Sequence, residues 1–230
     1  MPSFSPQRSS RSPLERDLVA LRSLLLEMAQ RVDEQVADAI NSLLQGDEDL
    51  AEQVVARDKN IDALQLHIDR QCERILALHA PVAVDLRKII MAVKINADFE
   101  RIGDHCRNLA RHVRHTAAAP RLLEETELPR MSDMARCMLR EVESAFLEQD
   151  RLKARKVIAR DLQVNRMHDD TCTHLISVCR EEQGRVAEAA AHLITASKSL
   201  ERISDHAKNI AKNVVFMIEG TDIRHQNATD

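Results

Sequence analysis

ERIGDHCRNLAR, Glu100 to Arg111, is written a second time as ERISDHAKNIAK, Glu201 to Lys212. Each copy sets two carboxylates four residues apart and follows the second with a histidine. On a helix, i and i+4 share a face, and like charges placed there are unfavourable by a few tenths of a kcal/mol. A chain that repeats such a pair needs a reason for it.

The helical frame comes from the residues around the pair. Ile95, Phe99, Ile102, Cys106, Leu109 and Val113 follow 4-3-4-3-4 spacing, and Ala196, Leu200, Ile203, Ala207, Ile210 and Val214 repeat it. These are coiled-coil-like seams. With Phe99 at a heptad a position, Glu100 falls at b and Asp104 at f, which predicts carboxylates on the bundle surface. Composition agrees with helix: of 230 residues only four are Gly, six Pro and four Phe, with no Trp or Tyr, so little material exists for turn-rich sheet.

The repeat extends beyond the motif. Val54-Val55-Ala56-Arg57-Asp58 matches Val157-Ile158-Ala159-Arg160-Asp161 at an offset of 103, and the two opening stretches match at 101. A duplicated three-helix unit accounts for both offsets, with helices of roughly 30 residues, about 45 Å long. Ser12-Pro13 reads as a helix start, the first helix running from Leu14 to Gln45 before Gly46. Asp47 caps a second, ending near Leu78, and Pro81 opens a third that ends near His115. The segment 117–129, with Pro120 and Pro129, breaks the pattern. Three further helices follow, from about Met131 to Glu148, Asp150 to about Glu182, and Arg185 to Glu219 before Gly220. The expected fold is all-α, two tandem pseudo-symmetric three-helix bundles of long antiparallel helices. The expected divisions are a flexible arm over 1–12, bundles over 13–116 and 130–220, a linker over 117–129 and a tail over 221–230.

The preceding helix carries its own pair, Asp58 and Asp62. In an antiparallel hairpin, residues equidistant from the turn lie level. The midpoints of 58/104 and 62/100 both fall at 81, the expected turn, so Asp58, Asp62, Glu100 and Asp104 come to one height. In the second half 161/205 and 165/201 both centre on 183, bringing Asp161, Glu201 and Asp205 level with Asn165. Such oxygen donors on two adjacent helices suit a hard cation, Mg, Mn or Fe, with Zn less typical, which would neutralise the repulsion. The alternative is a set of solvated charges compensated by Arg107, Lys208, Arg101 and Arg202. The spacing is not the Glu-x-x-His of an inward-facing di-iron bundle. His105 and His206 lie about 100° round the helix from the aspartates and read as helix–helix contacts rather than ligands. Cys106 occupies a seam position and reads as core.

Other features exclude function classes. A formal charge of −4 gives no field for a phosphate backbone, and without Trp or Tyr there is almost no stacking platform for bases, so no nucleic-acid partner is expected. Five cysteines without a CxxC pair read as reduced, packed thiols, which suits a cytoplasmic protein. No apolar run reaches membrane-spanning length, and the polar, Pro/Ser-rich start lacks a hydrophobic signal region, so no direct membrane insertion is expected. No Gly-rich phosphate loop, nucleophile elbow or HExxH occurs.

The segments ARDKNID, PVAVDLRKI, NADFERIGDH, SLERISDHAKNIA and FMIEGTDIRH resemble the PhoU family, phosphate-signalling accessory proteins of bacterial phosphate transport, over nearly the whole chain after the arm. The resemblance implies a metal ion or multinuclear cluster on each bundle. Its ligands would be Asp58, Asp62, Glu100 and Asp104 in the first half and Asp161, Glu201 and Asp205 in the second, where Asn165 departs from the pattern. It also implies a non-enzymatic negative regulator of the phosphate-starvation response and of high-affinity uptake. Such a protein would link the phosphate ABC transporter ATPase subunit to a membrane sensor histidine kinase, and a homodimer is expected. The alternative function is a metal-dependent phosphoester hydrolase using the same carboxylates to activate water.

Overall fold

The computed structural model describes residues 12–183 and 185–222. Apart from Ser12, the expected arm lies outside the described residues, as do Gly184 and tail residues 223–230. The described chain forms seven helices: α1 Pro13–Gln45, α2 Glu48–His79, α3 Ala83–Thr116, α4 Pro120–Glu124, α5 Leu128–Glu148, α6 Arg151–Glu181 and α7 Ala187–Glu219. None is long and apolar enough to cross a membrane.

Local chemistry sets the ends. Ser12 and Glu15 form a reciprocal capping box, the Glu15 N–H donating to Ser12 Oγ at 3.1 Å and the Ser12 N–H to Glu15 Oε2 at 2.8 Å. Asp47 accepts from the Leu50 N–H at 2.9 Å, and Asp150 from the Leu152 and Lys153 N–H groups at 2.8 and 3.1 Å. Gly46, at φ 66°, terminates α1 in the left-handed conformation that costs glycine least. Two boundaries differ from the sequence reading. Pro81 lies in the turn ahead of Val82, which caps α3, so it precedes the helix rather than opening it. The 117–129 break contains α4 and the start of α5, because Pro120 and Pro129 each sit in a first turn, where a missing N–H breaks no intrahelical bond.

Both seams are core. Ile95, Phe99, Ile102, Cys106, Leu109 and Val113 are buried, and so is every residue of the second seam from Ala196 to Val214. Truncating a residue such as Phe99 to Ala would cost about 3–5 kcal/mol. α3 packs on α1 and α2, α7 packs on α5 and α6, and the most extensive interface joins α3 to α7. One continuous apolar core therefore runs through both triplets. The α3–α7 pair is antiparallel: Asp98 meets His206, His112 meets His192, and His115 meets Glu188.

The cysteines divide. All five are free, Cys72 and Cys106 are buried, Cys172 and Cys179 are half-buried, and Cys137 is exposed. Cys137 therefore departs from the expectation of packed thiols; it lies on the outer side of α5, beside the Arg160 guanidinium of α6 at 3.1 Å.

Candidate metal centre

The antiparallel hairpins bring Asp58 level with Asp104 and Asp161 level with Asp205. Asp58 and Asp104, from α2 and α3, share the Arg107 guanidinium, which pairs with Asp58 Oδ2 and lies 2.6 Å from Asp104 Oδ1. In the second half Lys208 takes the same place, 2.7 Å from Asp161 Oδ2 and 2.6 Å from Asp205 Oδ1. Glu100 has Arg101 at 3.7 Å, and Arg101 also reaches Asp104 at 3.5 Å. Glu201 has Arg202 at 3.7 Å and, in addition, Lys198 at 2.9 Å. Ala97 stands where Lys198 does in the first repeat, so the two sets are unequal in charge as well as in the Asp62/Asn165 exchange.

The surface placement expected of Glu100 and Asp104 does not extend to the aspartates that face them from α2 and α6. Asp58 and Asp161 are 2% and 4% exposed, while Glu100, Asp104, Glu201 and Asp205 remain partly open to solvent. Heptad position fixes which faces of α3 and α7 are open and leaves the facing helix unconstrained. Asp58 points back at Gly103, where an added Cβ would meet Ile61 Cδ1 at 3.1 Å and Asp58 Oδ1 at 3.5 Å. The small residue on α3 thus leaves the space into which α2 presents its carboxylate.

Burial pushes the Asp58 carboxyl above its ordinary value, against the pull of Arg107, and Asp62 and Asp104 push the same way. Glu100 is likewise raised, by burial first and then by Asp104, Asp62 and Asp58. Asp205 is lowered: burial opposes ionisation, but the Lys208 ammonium outweighs it. The first cluster is the more strained for negative charge, and the second is more nearly neutralised from within.

Asp58 Oδ1, Asp161 Oδ1 and Asn165 Oδ1 are buried acceptors without a hydrogen-bond donor, the state in which an oxygen gains most from a positive charge. Every donor is oxygen, as hard cations require. Against immediate closure, Arg107 and Lys208 stand among the oxygens, and neither set has three donors within 4.8 Å of one another. The donor chemistry therefore suits a hard cation, while the Arg107 and Lys208 ion pairs and the present separations hold both sets in an unclosed arrangement.

His105 and His206 are contacts between helices, as expected, their rings stacking across α3 and α7 with centroids 5.6 Å apart. A second constellation, not among the expected site residues, is His112, His115, Glu188 and His192, where α3 ends and α7 begins. Its signal was present as H-x-x-H in RHVRH and E-x-x-x-H in EAAAH, i,i+3 and i,i+4 spacings that each put both donors on one helix face.

Comparison with known proteins matches the PhoU domain twice, over residues 25–113 and 128–214. The phosphate-specific transport system accessory protein PhoU homolog of Pseudomonas aeruginosa is 38% identical over 93% of this chain and 88% of its own length. The homolog from Zymomonas mobilis is 35% identical over 90% and 86%. The crystal structure of PhoU from Pseudomonas aeruginosa superposes with a TM-score of 0.84 at 35% identity, covering 90% of this chain and 99% of that one. That of the phosphate transport system regulatory protein PhoU from Streptococcus pneumoniae gives 0.82 at 25% identity, over 91% and 98%. With both helical triplets matched and nine-tenths of the chain aligned, this protein belongs to the PhoU family.

Proposed function

We propose that this protein is a non-enzymatic negative regulator of high-affinity phosphate uptake and of the phosphate-starvation response. In this reading it is a cytoplasmic adaptor between the ATPase subunit of a phosphate ABC transporter and a membrane sensor histidine kinase. What supports it is end-to-end similarity to proteins named as accessory or regulatory proteins of phosphate transport. The paired carboxylate clusters would hold Mg, Mn, Fe or Zn. A bound cation would supply a fixed positive charge among Asp58, Asp62, Glu100 and Asp104. The residues' own contribution is to present buried oxygens, Asp58 Oδ1 and Asp161 Oδ1, that lack a hydrogen-bond donor and that a cation would satisfy. Exchange between internal and external cation would couple the outer helices α2 and α6 to the central pair α3 and α7.

The test is capture of the tagged protein from membranes that carry the transporter and the kinase, under phosphate-replete and phosphate-starved conditions. Retention of the ATPase subunit or the kinase in the replete state supports the adaptor. Retention of neither, with phosphoester hydrolysis by the metal-loaded protein lost in Asp104→Ala, would replace it with the hydrolase reading.

A further inference from the structure

We propose that His115, Glu188 and His192 form a zinc-class cation site where the end of α3 meets the start of α7, with His112 orienting His192. This site is separate from the carboxylate clusters and does not depend on their metal binding.

Geometry carries it. Among the described residues these three are the group whose donor atoms all lie within 4.8 Å of one another. His115 Nδ1 is 3.6 Å from Glu188 Oε1, and the His115 and His192 rings stack with centroids 4.0 Å apart and planes inclined by 7°. Bonds of about 2.0–2.1 Å to a tetrahedral zinc put ligand atoms about 3.4 Å from one another and lie in the ring plane, so closure needs the His115 ring to rotate out of its stack on His192 as well as movements of about 1.5 Å. The groups that must move are those free to do so: the His115 side chain is 42% exposed and that of Glu188 is 82% exposed. His192, the half-buried ligand, is already fixed. Its Nδ1 is 2.8 Å from His112 Nδ1, so one of these nitrogens donates and the other accepts. With His192 as donor, its Nε2 is left unprotonated and directed by its partner, as metal-bound histidines require.

The fold's symmetry provides a control. Shifted by the repeat offset of 101, His112 and His115 correspond to Asn213 and Phe216, and Glu188 and His192 to Arg87 and Met91. The opposite end of the α3–α7 pair therefore has no such donor set, and this one is not a by-product of the duplication. Two imidazoles and one carboxylate favour zinc over the hard cations suited to the all-oxygen clusters. A solvent molecule completes four-coordination.

The test is titration of the metal-free full-length chain with Co²⁺ at pH 7.5, followed by visible absorption, then displacement by Zn²⁺. A four-coordinate Co²⁺ site with nitrogen donors absorbs strongly, whereas six-coordinate Co²⁺ among carboxylates absorbs weakly. The expected result is an intense band saturating at one equivalent. It should be lost in His115→Ala and His192→Ala, retained in Asp104→Ala and Asp205→Ala, and weakened about 10- to 100-fold in affinity in His112→Phe. Because His115 is exposed, His115→Ala should fold normally and alone decides the matter. Absence of the band, or its persistence in His115→Ala, overturns the site.

Discussion

His105 and His206, equivalent residues of the two repeats, stack on each other at the middle of the α3–α7 interface, with ring centroids 5.6 Å apart and planes inclined by 29°. A residue that touches its own repeat-mate lies on the pseudo-twofold axis, so the two triplets associate about this point. The symmetry is broken immediately beside it. Asp98 accepts from Asn213 Nδ2 at 3.2 Å and lies 3.0 Å from His206 Nδ1, but its counterpart Ser199 donates to Thr195 O within α7.

Asp98→Ala should therefore destabilise the protein far more than Ser199→Ala. It strips hydrogen-bond partners from His206 and the buried Asn213 across the central interface, at about 1–3 kcal/mol. That corresponds to a fall in Tm of roughly 2–12 °C for a chain of this size. Thermal melts of the two variants side by side test it; equal melts would mean that the polar contacts across the axis contribute nothing.

Glu143, on α5, is pushed up to about 8 by burial first and by Asp33 next, with Arg140 opposing. Its Oε1 is buried without a donor. The folded value lies above the ordinary 4.5, so this group's contribution to stability is fully present below about pH 4.5 and is lost as pH rises through 8. Glu143→Gln should leave Tm nearly unchanged at pH 4.5 and raise it at pH 9, by about 2–4 °C for each kcal/mol recovered. A pH-independent effect of the substitution would remove the buried charge as its cause.

The repeat offsets and the two seams made most of this architecture legible, because 3.5-residue spacing and equal distance from a turn are properties of the chain alone. Three things were not legible. The burial of Asp58 and Asp161 depends on what the facing helix offers, Gly103 in one half and Ser204 in the other, and no single-helix periodicity contains that. The joining of the triplets into one core depends on α3 and α7 having a second apolar side, which residues such as Ala92, Ala110 and Ala211 provide without a strong hydrophobic signal. The histidine constellation joins residues more than 70 apart in different repeats, where the duplication gives no register.

The symmetry also predicts a stabilising change. Gly46 ends α1 at φ 66°, and Gln149, at the 103-residue offset, ends α5 at φ 53° and ψ 43°. A left-handed conformation costs a side-chain-bearing residue about 1–2 kcal/mol, and glycine recovers much of that. Gln149→Gly should raise stability by about 0.5–1 kcal/mol, and Gly46→Ala should lower it, since a new Cβ would also meet Ala117 Cβ at 3.1 Å. Urea midpoints measured at unchanged m-value check both.

Arg107 decides whether the repeated carboxylate pair is an ion-pair network or a cation site. In the absence of metal its guanidinium is the counter-charge of Asp58 and Asp104, and Asp58 is almost wholly buried. Removing one partner of a buried pair typically costs about 3–5 kcal/mol, because the other charge remains uncompensated. Arg107→Ala should therefore melt well below the parent in chelator. If Asp58, Asp62, Glu100 and Asp104 bind a cation, added Mn²⁺ takes over the charge of Arg107, so metal should raise the Tm of Arg107→Ala more than that of the parent. Lys208→Ala should be rescued less, because Asn165 contributes oxygen but no charge to the second set. In Arg107→Ala/Asp104→Ala the rescue should shrink, since one carboxylate of the first set is gone and water must take its place in the cation's shell. Equal metal-induced shifts in parent and Arg107→Ala, together with metal stoichiometry unchanged in Asp104→Ala, would leave the pairs as ion-pair networks alone.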